Sequence, residues 1–279
     1  MKRPIILTFT IVAACSSHTA DPDPNPADGG AMERDAGAAE RDAGEARDGG
    51  PAIPCDAAGP VVVTFDTEDG ETLEADLYTT GQTNAPVAVL LHMIPPGNDR
   101  SNYPAAFITE LTQRGINVLN VDRRGAGGST GTARDAFQGP DGKLDPKGAV
   151  DFLAAHDCGF DLARLAIVGA SNGTTSAVDY TVHADSTDGW TSPKALVFLT
   201  GGAYTEAQNR IANTRAAFDP LPIQFVYSTA ERGWSVGYEP NKAAGWRFDE
   251  YTNGAHGTRM FDEVAQSMTD VAAFLEGAL

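Results

Sequence analysis

The sequence predicts an α/β protein with a doubly wound, mainly parallel β-sheet. Two observations lead to this prediction. Short continuous apolar runs are typical of strands buried on both faces of a parallel sheet, and segments with helical spacing lie between them. This alternation extends from residue 60 to residue 279. One domain of that length accounts for the whole pattern.

The elements follow a regular order along the chain. A strand pair comes first, because apolar segments at 61–65 and 73–78 flank a Glu-Asp-Gly turn. The further strands are predicted at 86–92, 116–121, 165–168, 195–199, 223–227 and 246–251. Helices are predicted at 103–114, 145–156, 174–184, 205–216 and 257–279.

The N-terminus has the features of an export signal. Residues 1–15 combine a basic start with an apolar stretch that is shorter than the roughly 20 residues of a membrane-spanning helix. Small residues precede Cys15 and resemble the bacterial lipobox, whose cysteine is lipidated and becomes the new N-terminus. We therefore expect an exported protein with a lipid anchor at Cys15; ordinary cleavage beside an incidental cysteine is the alternative. Ser16, and not aspartate, follows the cysteine. By analogy with lipoprotein sorting, this favours the outer membrane.

Residues 16–59 have the composition of a tether. They carry ten acidic residues and three arginines, almost no large apolar side chains and a loose Ala/Gly-rich charged repeat. Such a segment cannot bury enough apolar surface to offset its conformational entropy. We expect a disordered acidic Pro/Gly/Ala-rich tether here, followed by the folded domain at 60–279. A binding role for the repeat is the alternative.

Charge and cysteine content exclude several function classes. The net charge is −18 and no Lys/Arg cluster is present, which argues against a nucleic-acid partner. The three cysteines, at positions 15, 55 and 158, match no zinc spacing. No metal and no organic cofactor is implied.

A candidate nucleophile lies where the strand at 165–168 meets the helix at 174–184. The sequence there is Gly169-Ala170-Ser171-Asn172-Gly173. A tight strand-to-helix turn strains the serine backbone, and a side chain at either flanking position would clash with the neighbouring elements. A Gly-x-Ser-x-Gly pattern arises by chance about 0.1 times in a chain of this composition. The pattern and its context together predict a nucleophilic serine.

A serine hydroxyl needs a base that an acid orients. Of the five histidines, His256 lies in a Gly-rich loop between the last strand and the last helix. The other four lie in the tether, at a strand end or in helices (His18, His92, His156, His183). Glu231 follows the strand at 223–227, whereas Asp219 precedes it and is expected at the opposite end of the sheet. We therefore expect His256 to be the base and Glu231 to be the acid. For Glu231 the alternative is a solvated charge paired with Arg232.

A developing oxyanion needs two hydrogen-bond donors. In this topology we expect one to be the backbone N–H of Asn172, directly after the nucleophile. The second is the N–H of Met93, in the loop after the third strand.

Four motifs, in this order and spacing, resemble those of α/β-hydrolases of the dienelactone-hydrolase-like or simple esterase branch: Leu90-Leu91-His92, Asp122-Arg123-Arg124-Gly125-Ala126-Gly127-Gly128-Ser129, Gly169-Ala170-Ser171-Asn172-Gly173 and Ala255-His256-Gly257. The resemblance covers residues 60–279. It implies an eight-stranded sheet flanked by helices and a catalytic triad of Ser171, Glu231 and His256.

The sequence departs from these relatives at three positions. Ser171 stands where dienelactone hydrolases have cysteine, which argues against dienelactone chemistry. Thr174 stands where many esterases have another glycine, and Glu231 replaces the commoner aspartate. Only residues 200–221 are available between the sixth and seventh strands, where lids are inserted in this fold, so we expect no large lid.

These features predict a serine hydrolase that cleaves carboxylic esters through an acyl-enzyme, with small-molecule or short-acyl substrates. A catalytically silent cell-surface binding protein on the same scaffold, and a serine peptidase or amidase, are the alternatives. Tyr103, Tyr204 and Trp234 are candidates for lining the cleft; packing near the strand ends is the alternative.

The two remaining cysteines are expected to form a disulfide; two buried, unpaired thiols are the alternative. After lipidation of Cys15, Cys55 and Cys158 are the cysteines left in an oxidising compartment. They precede the first and the fifth strand, whose starts share one edge of the sheet in this fold. The two strand starts are four strands apart, which is roughly 19 Å. The six residues from Cys55 to the first strand span about 20 Å when extended.

Overall fold

The computed structural model describes residues 54–56, 59–201 and 209–279. These residues belong to one compact unit, Pro51–Leu279. The signal peptide predicted at 1–15, with Cys15, and most of the tether predicted at 16–59 lie outside the described residues. So do Tyr204 and the start of the helix predicted at 205–216.

Eight strands form a single sheet. They are β1 (Val61–Asp66), β2 (Thr72–Tyr78), β3 (Pro86–Leu91), β4 (Asn117–Val121), β5 (Asp161–Ala170), β6 (Ala195–Leu199), β7 (Ile223–Ser228) and β8 (Trp246–Tyr251). Their order is β1-β2-β4-β3-β5-β6-β7-β8. β2 pairs antiparallel with both β1 and β4, and every other pair is parallel. The predicted eight-stranded, mainly parallel sheet is confirmed.

The burial of each strand follows its position in the sheet. Every residue of β4, β6 and β7 is buried, because helices cover both faces there. β1 and β2 instead alternate buried and more exposed residues, since a single face of this outer hairpin packs on the core. Alternate residues of β3 enter two separate apolar clusters, one on each side of the sheet.

Helices complete the two outer layers. They are α1 (Ala105–Gln113), α2 (Ala133–Phe137), α3 (Leu144–Ala155), α4 (Gly173–Ser186), α5 (Arg215–Phe218), α6 (Arg259–Glu263) and α7 (Ala265–Ala278). Short 3-10 turns lie at Arg100–Asn102, Pro140–Lys143, Ile211–Asn213, Thr229–Trp234 and Val236–Asn241. α3, α4 and α5 pack on one face of the sheet, and α1, α6 and α7 pack on the other. In the described ranges, no helix combines the length and the hydrophobicity needed to span a bilayer.

The C-terminal segment differs from the prediction of one helix at 257–279. Val264 has φ −133° and ψ 85°, which separates α6 from α7. The hydroxyl of Ser267 donates to the Val264 carbonyl at 2.6 Å, and the Ser267 N–H donates to the same oxygen at 2.9 Å. A side chain that competes for backbone groups in this way favours a helix start over a continuous helix.

Cys55 and Cys158 form a disulfide, with their Cα atoms 5.2 Å apart. His156 lies beside it and accepts a hydrogen bond from the Cys158 N–H at 3.3 Å. Among the described residues, the Sγ atoms of Cys55 and Cys158 and a ring nitrogen of His156 lie within 4.8 Å of one another, close enough to be considered as metal ligands. Because the two sulfur atoms are bonded to each other, the imidazole is the ligand that this group can still offer.

Candidate active site

Ser171 lies in the turn between β5 and α4, at the carboxyl edge of the sheet. Its φ of +50° is in the left-handed region, which is uncommon for a residue other than glycine. A Cβ at Gly169 would lie 2.7 Å from the Gly173 carbonyl oxygen, and one at Gly173 would lie 2.3 Å from the Leu91 oxygen. The two glycines of the motif are therefore required by the close approach of β3, β5 and α4.

His256 lies in the loop after β8 and contacts the side chains of both Ser171 and Glu231. Its Nε2 is 2.6 Å from the Ser171 Oγ, and its Nδ1 is 2.9 Å from Glu231 Oε1. A carboxylate can only accept, so Nδ1–H donates to Glu231 and leaves Nε2 of the neutral imidazole to accept the serine proton. This arrangement has the geometry of a nucleophile, a base and an orienting acid.

Glu231 is carried by the 3-10 turn Thr229–Trp234, directly after β7. Its neighbour Arg232 approaches Glu250 at 3.5 Å. Asp219, the other acid considered, lies before β7 and pairs with Arg215 at 2.7 Å. The structure thus brings Glu231, and not Asp219, to His256.

Met93 and Asn172 are the residues predicted to supply the oxyanion donors. Both are buried, Met93 just after β3 and Asn172 just after the serine. Within the described part of the chain, neither backbone N–H donates to another protein group. Both groups are therefore available to a ligand oxygen beside Ser171.

His92 supports the Met93 peptide rather than acting as a base. Its Nδ1–H donates to the Met93 carbonyl at 2.8 Å, and its Nε2 accepts from the Arg123 N–H at 2.9 Å. Burial, together with the nearby charge of Arg123, lowers the pKa of His92 to about 3. The imidazole is neutral at physiological pH, and both of its nitrogens are occupied.

The side chain of Arg123 contacts Asn172, which carries the other proposed oxyanion donor. Its guanidinium donates to Asn172 Oδ1 at 3.0 Å, to Ser176 Oγ at 2.7 Å and to the Ala136 carbonyl at 2.6 Å. Burial lowers the pKa of Arg123 to about 10, so it stays charged at neutral pH. The sequence carries no separate signal for this role, because Arg123 is one residue of the Gly-rich motif after β4.

Two large apolar side chains remain exposed near the serine. Trp234 is 45% exposed, and its ring centroid lies 5.5 Å from that of His256. Ile94, which follows Met93, is 42% exposed. Tyr103 is buried instead, and its hydroxyl lies within hydrogen-bond distance of the Leu91 and Val168 carbonyls. Tyr103 is therefore a packing residue, whereas Trp234 can contact a ligand.

No protein-family profile matches this chain, and no curated protein matches it either. Several solved structures do match. An esterase of Pyrococcus furiosus superposes with a TM-score of 0.61 at 17% identity, covering 83% of this chain and 96% of that one. The α/β hydrolase GrgF of a Penicillium species gives a TM-score of 0.62 at 14% identity, covering 78% and 98%. This chain has the α/β-hydrolase fold.

A third α/β-hydrolase, described as a serine hydrolase without a lid, comes from Xanthomonas campestris. It gives a TM-score of 0.53 at 14% identity and covers 82% of this chain and 96% of that one. In the α/β-hydrolase fold the nucleophile lies on the turn after the fifth strand, and the triad follows the chain order serine, acid, histidine. Ser171, Glu231 and His256 have these positions and this order.

Proposed function

We propose that this protein is a serine hydrolase that cleaves carboxylic esters through an acyl-enzyme. The observation that carries the proposal is the continuous hydrogen-bonded chain from Glu231 through His256 to Ser171, at 2.9 Å and 2.6 Å. A serine that is merely structural has no need of an oriented imidazole on a strained turn. The esterases among the structures of similar fold add support for ester substrates.

The first half of the reaction forms the acyl-enzyme. The Ser171 Oγ attacks the carbonyl carbon of the ester while its proton passes to Nε2 of His256. The electron pair of the C=O bond moves to oxygen, and the Met93 and Asn172 N–H groups stabilise the oxyanion. The oxyanion collapses, the C–O bond to the alcohol breaks, and the alcohol leaves with the proton from His256. Glu231 stabilises the imidazolium formed in between.

The second half releases the acid. A water molecule gives a proton to Nε2 of His256 and attacks the acyl carbon, forming a second oxyanion at the same two donors. This intermediate expels the Ser171 oxygen, which recovers its proton from His256. One ester and one water become one acid and one alcohol, and the enzyme is regenerated.

The proposal includes substrates with short acyl groups. Residues 200–222 connect β6 to β7, and their described part holds only the 3-10 turn Ile211–Asn213 and the four-residue α5. With no long helix in the described part of this connection to cover the serine, a long acyl chain would find limited apolar surface.

We also infer export and lipid anchoring through Cys15. The basic start, apolar run and cysteine of residues 1–15 support this, and so does the Cys55–Cys158 disulfide, since disulfides persist in oxidising compartments. Ser16 favours the outer membrane.

In a bacterial host fed an alkyne fatty acid, the wild type should be labelled and sediment with membranes, and Cys15→Ser should do neither. An unlabelled wild type contradicts the anchor.

A fluorophosphonate probe tests the hydrolase proposal. The folded wild type should be labelled and should hydrolyse p-nitrophenyl acetate, whereas Ser171→Ala should do neither, because the turn tolerates a small side chain. Ser186→Ala, an exposed serine at the end of α4, is the matched control and should behave as wild type. Absence of labelling in folded wild type would instead favour a silent binding protein. Faster cleavage of matched amides than of esters would favour a peptidase or amidase.

A further inference from the structure

Thr200 has a backbone conformation that its side chain disfavours. It is fully buried, directly after β6, and its φ is +55°. Asn84 and Ser171 are the other non-glycine residues with positive φ among those that the structure describes. A β-branched residue in the left-handed region is a genuine outlier, and such strain persists only where its surroundings hold it.

The position of Thr200 links all the loops that carry the triad. β6 lies between β5, which leads to Ser171, and β7, which leads to Glu231. The carbonyl of Leu199 accepts from the Ser171 N–H at 2.8 Å, and the Thr200 N–H donates to the Val226 carbonyl of β7 at 2.8 Å. These two bonds connect the backbone at Leu199 and Thr200 to the turn of the nucleophile and to β7, the strand that leads to the acid.

The side chain of Thr200 reaches the third loop. Its Oγ1 accepts from the N–H of Gly257, the residue after His256, at 3.0 Å. Gly257 itself has φ +59°, and a Cβ there would lie 2.6 Å from the Met93 Sδ. The histidine loop therefore passes close to the oxyanion side of the site, and this part of it is held by the hydroxyl of Thr200.

We propose that Thr200 is a positioning residue that sets the His256 imidazole in line with Ser171; this inference rests on the proposed function. Glycine at this position would adopt the same φ without strain but would have no hydroxyl to hold Gly257. β-Branching restricts the χ1 angle and so fixes the direction of Oγ1. The strained threonine is thus explained by the hydrogen bond that its hydroxyl makes to Gly257.

Three variants separate the hydroxyl from the backbone strain. Thr200→Val keeps the volume and the strain but loses the acceptor, Thr200→Ser keeps the acceptor, and Thr200→Gly loses the acceptor and the strain together. Asn84→Gly is the matched control for strain relief, since Asn84 is exposed, has φ +56° and precedes β3 at the far edge of the sheet. Each variant is compared with wild type by the kcat and KM for p-nitrophenyl acetate and by Tm.

We expect kcat to fall roughly tenfold or more in Thr200→Val and Thr200→Gly, with KM nearly unchanged, since one misaligned hydrogen bond is enough for such a loss. Thr200→Ser should restore most of kcat. In Thr200→Gly the relief of backbone strain offsets part of the cost of the unpaired Gly257 N–H, so kcat should fall even where the variant is fully folded. Asn84→Gly should leave kcat at the wild-type value.

A wild-type kcat in both Thr200→Val and Thr200→Gly overturns the inference. So does a loss of kcat in Thr200→Gly that merely follows a lower folded fraction. The NMR signal of the proton on His256 Nδ1 tests the same positioning without turnover: it should persist in Thr200→Ser and broaden or shift in the other two variants. A wild type without esterase activity contradicts the proposed function, whereas unchanged NMR signals contradict the role of Thr200.

Discussion

The guanidinium of Arg123 donates a hydrogen bond to the side-chain oxygen of Asn172 at 3.0 Å, and both residues are buried. The backbone N–H of the same arginine donates to His92, which in turn donates to the Met93 carbonyl. Arg123 thus connects the two peptide segments that carry the proposed oxyanion donors. Because a buried charge is costly unless it is fully hydrogen-bonded, this network has to be nearly complete to be tolerated.

We expect Arg123→Lys to lower kcat by roughly ten- to a hundredfold with little change in KM. A lysine keeps the charge, but its single ammonium cannot bond Asn172, Ser176 and Ala136 together in the planar geometry of a guanidinium. The substitution Arg123→Lys should also lower the free energy of unfolding, measured by urea denaturation, by about 1–3 kcal/mol. Arg164→Lys, at a partly exposed pair with Asp161, is the control. A wild-type kcat in a folded Arg123→Lys variant would contradict this role.

Glu231→Gln should lower kcat/KM by roughly 10²- to 10⁴-fold without loss of fold. An amide can donate where the carboxylate accepts, so the imidazole loses both its charge partner and its preferred tautomer. Glu250→Gln, which affects the neighbouring pair with Arg232, is the matched control and should retain activity. Initial rates with p-nitrophenyl acetate measure both. Equal activity of the two variants would leave the triad without Glu231 as its acid.

Much of the fold was predictable because continuous apolar runs alternate with segments of helical spacing. The continuous apolar runs of β3 to β7 identify buried strands, and the Gly-x-Ser-x-Gly turn identifies the place of Ser171. The chain order of serine, acid and histidine then selects His256 and Glu231. The apolar runs and the Gly-x-Ser-x-Gly turn are local in sequence and each has a direct physical cause, whereas the chain order follows from the resemblance to α/β-hydrolases.

Other features depend on contacts that no local pattern encodes. The break at Val264 comes from a side-chain hydrogen bond of Ser267 within an otherwise helical sequence. The contact of Arg123 with Asn172 joins residues 49 positions apart, and the left-handed φ of Thr200 opposes the ordinary preference of threonine. Sequence periodicity reports which face is apolar, but not which buried polar groups meet.

His92 should make the stability of the protein depend on pH. Burial lowers its pKa to about 3, from the usual 6.5 that applies in the unfolded chain. Since the unfolded chain takes up this proton first, the stabilisation is complete above pH 6.5 and is lost as the pH falls, by up to about 1.4 kcal/mol per pH unit. Urea unfolding of the wild type and His92→Gln between pH 7 and 4.5 measures this. The variant should have a shallower pH dependence; parallel curves would contradict the assignment.

The Cys55–Cys158 disulfide should stabilise the folded domain. It spans a sequence separation of 103 residues, and cross-links that restrict an unfolded chain contribute roughly 2–4 kcal/mol. Reduction, or the double change Cys55→Ser and Cys158→Ser, should lower the free energy of unfolding by that amount. Mass spectrometry of the non-reduced, denatured protein should detect the linked peptides. Two free thiols in protein isolated without reductant would contradict the bond.

Acyl-chain length should reveal how open the cleft is. Each buried methylene of a substrate gains roughly 0.8 kcal/mol, provided that an apolar wall receives it. Trp234 and Ile94 are 45% and 42% exposed and so stand at an open mouth, and the described part of 200–222 contributes no helix longer than the four residues of α5. We therefore expect a long acyl chain to leave most of its methylenes in water.

We accordingly expect kcat/KM to be higher for acetyl and butyryl p-nitrophenyl esters than for the palmitoyl ester, measured below the micelle concentration of the substrate. Trp234→Ala should reduce kcat/KM for the butyryl ester more than for the acetyl ester, because only the longer chain extends to the indole. Val62→Ala, at an exposed apolar residue of β1, is the matched control and should change neither value. Faster cleavage of the palmitoyl ester by monomeric enzyme would require an apolar tunnel, since an open cleft cannot bury such a chain.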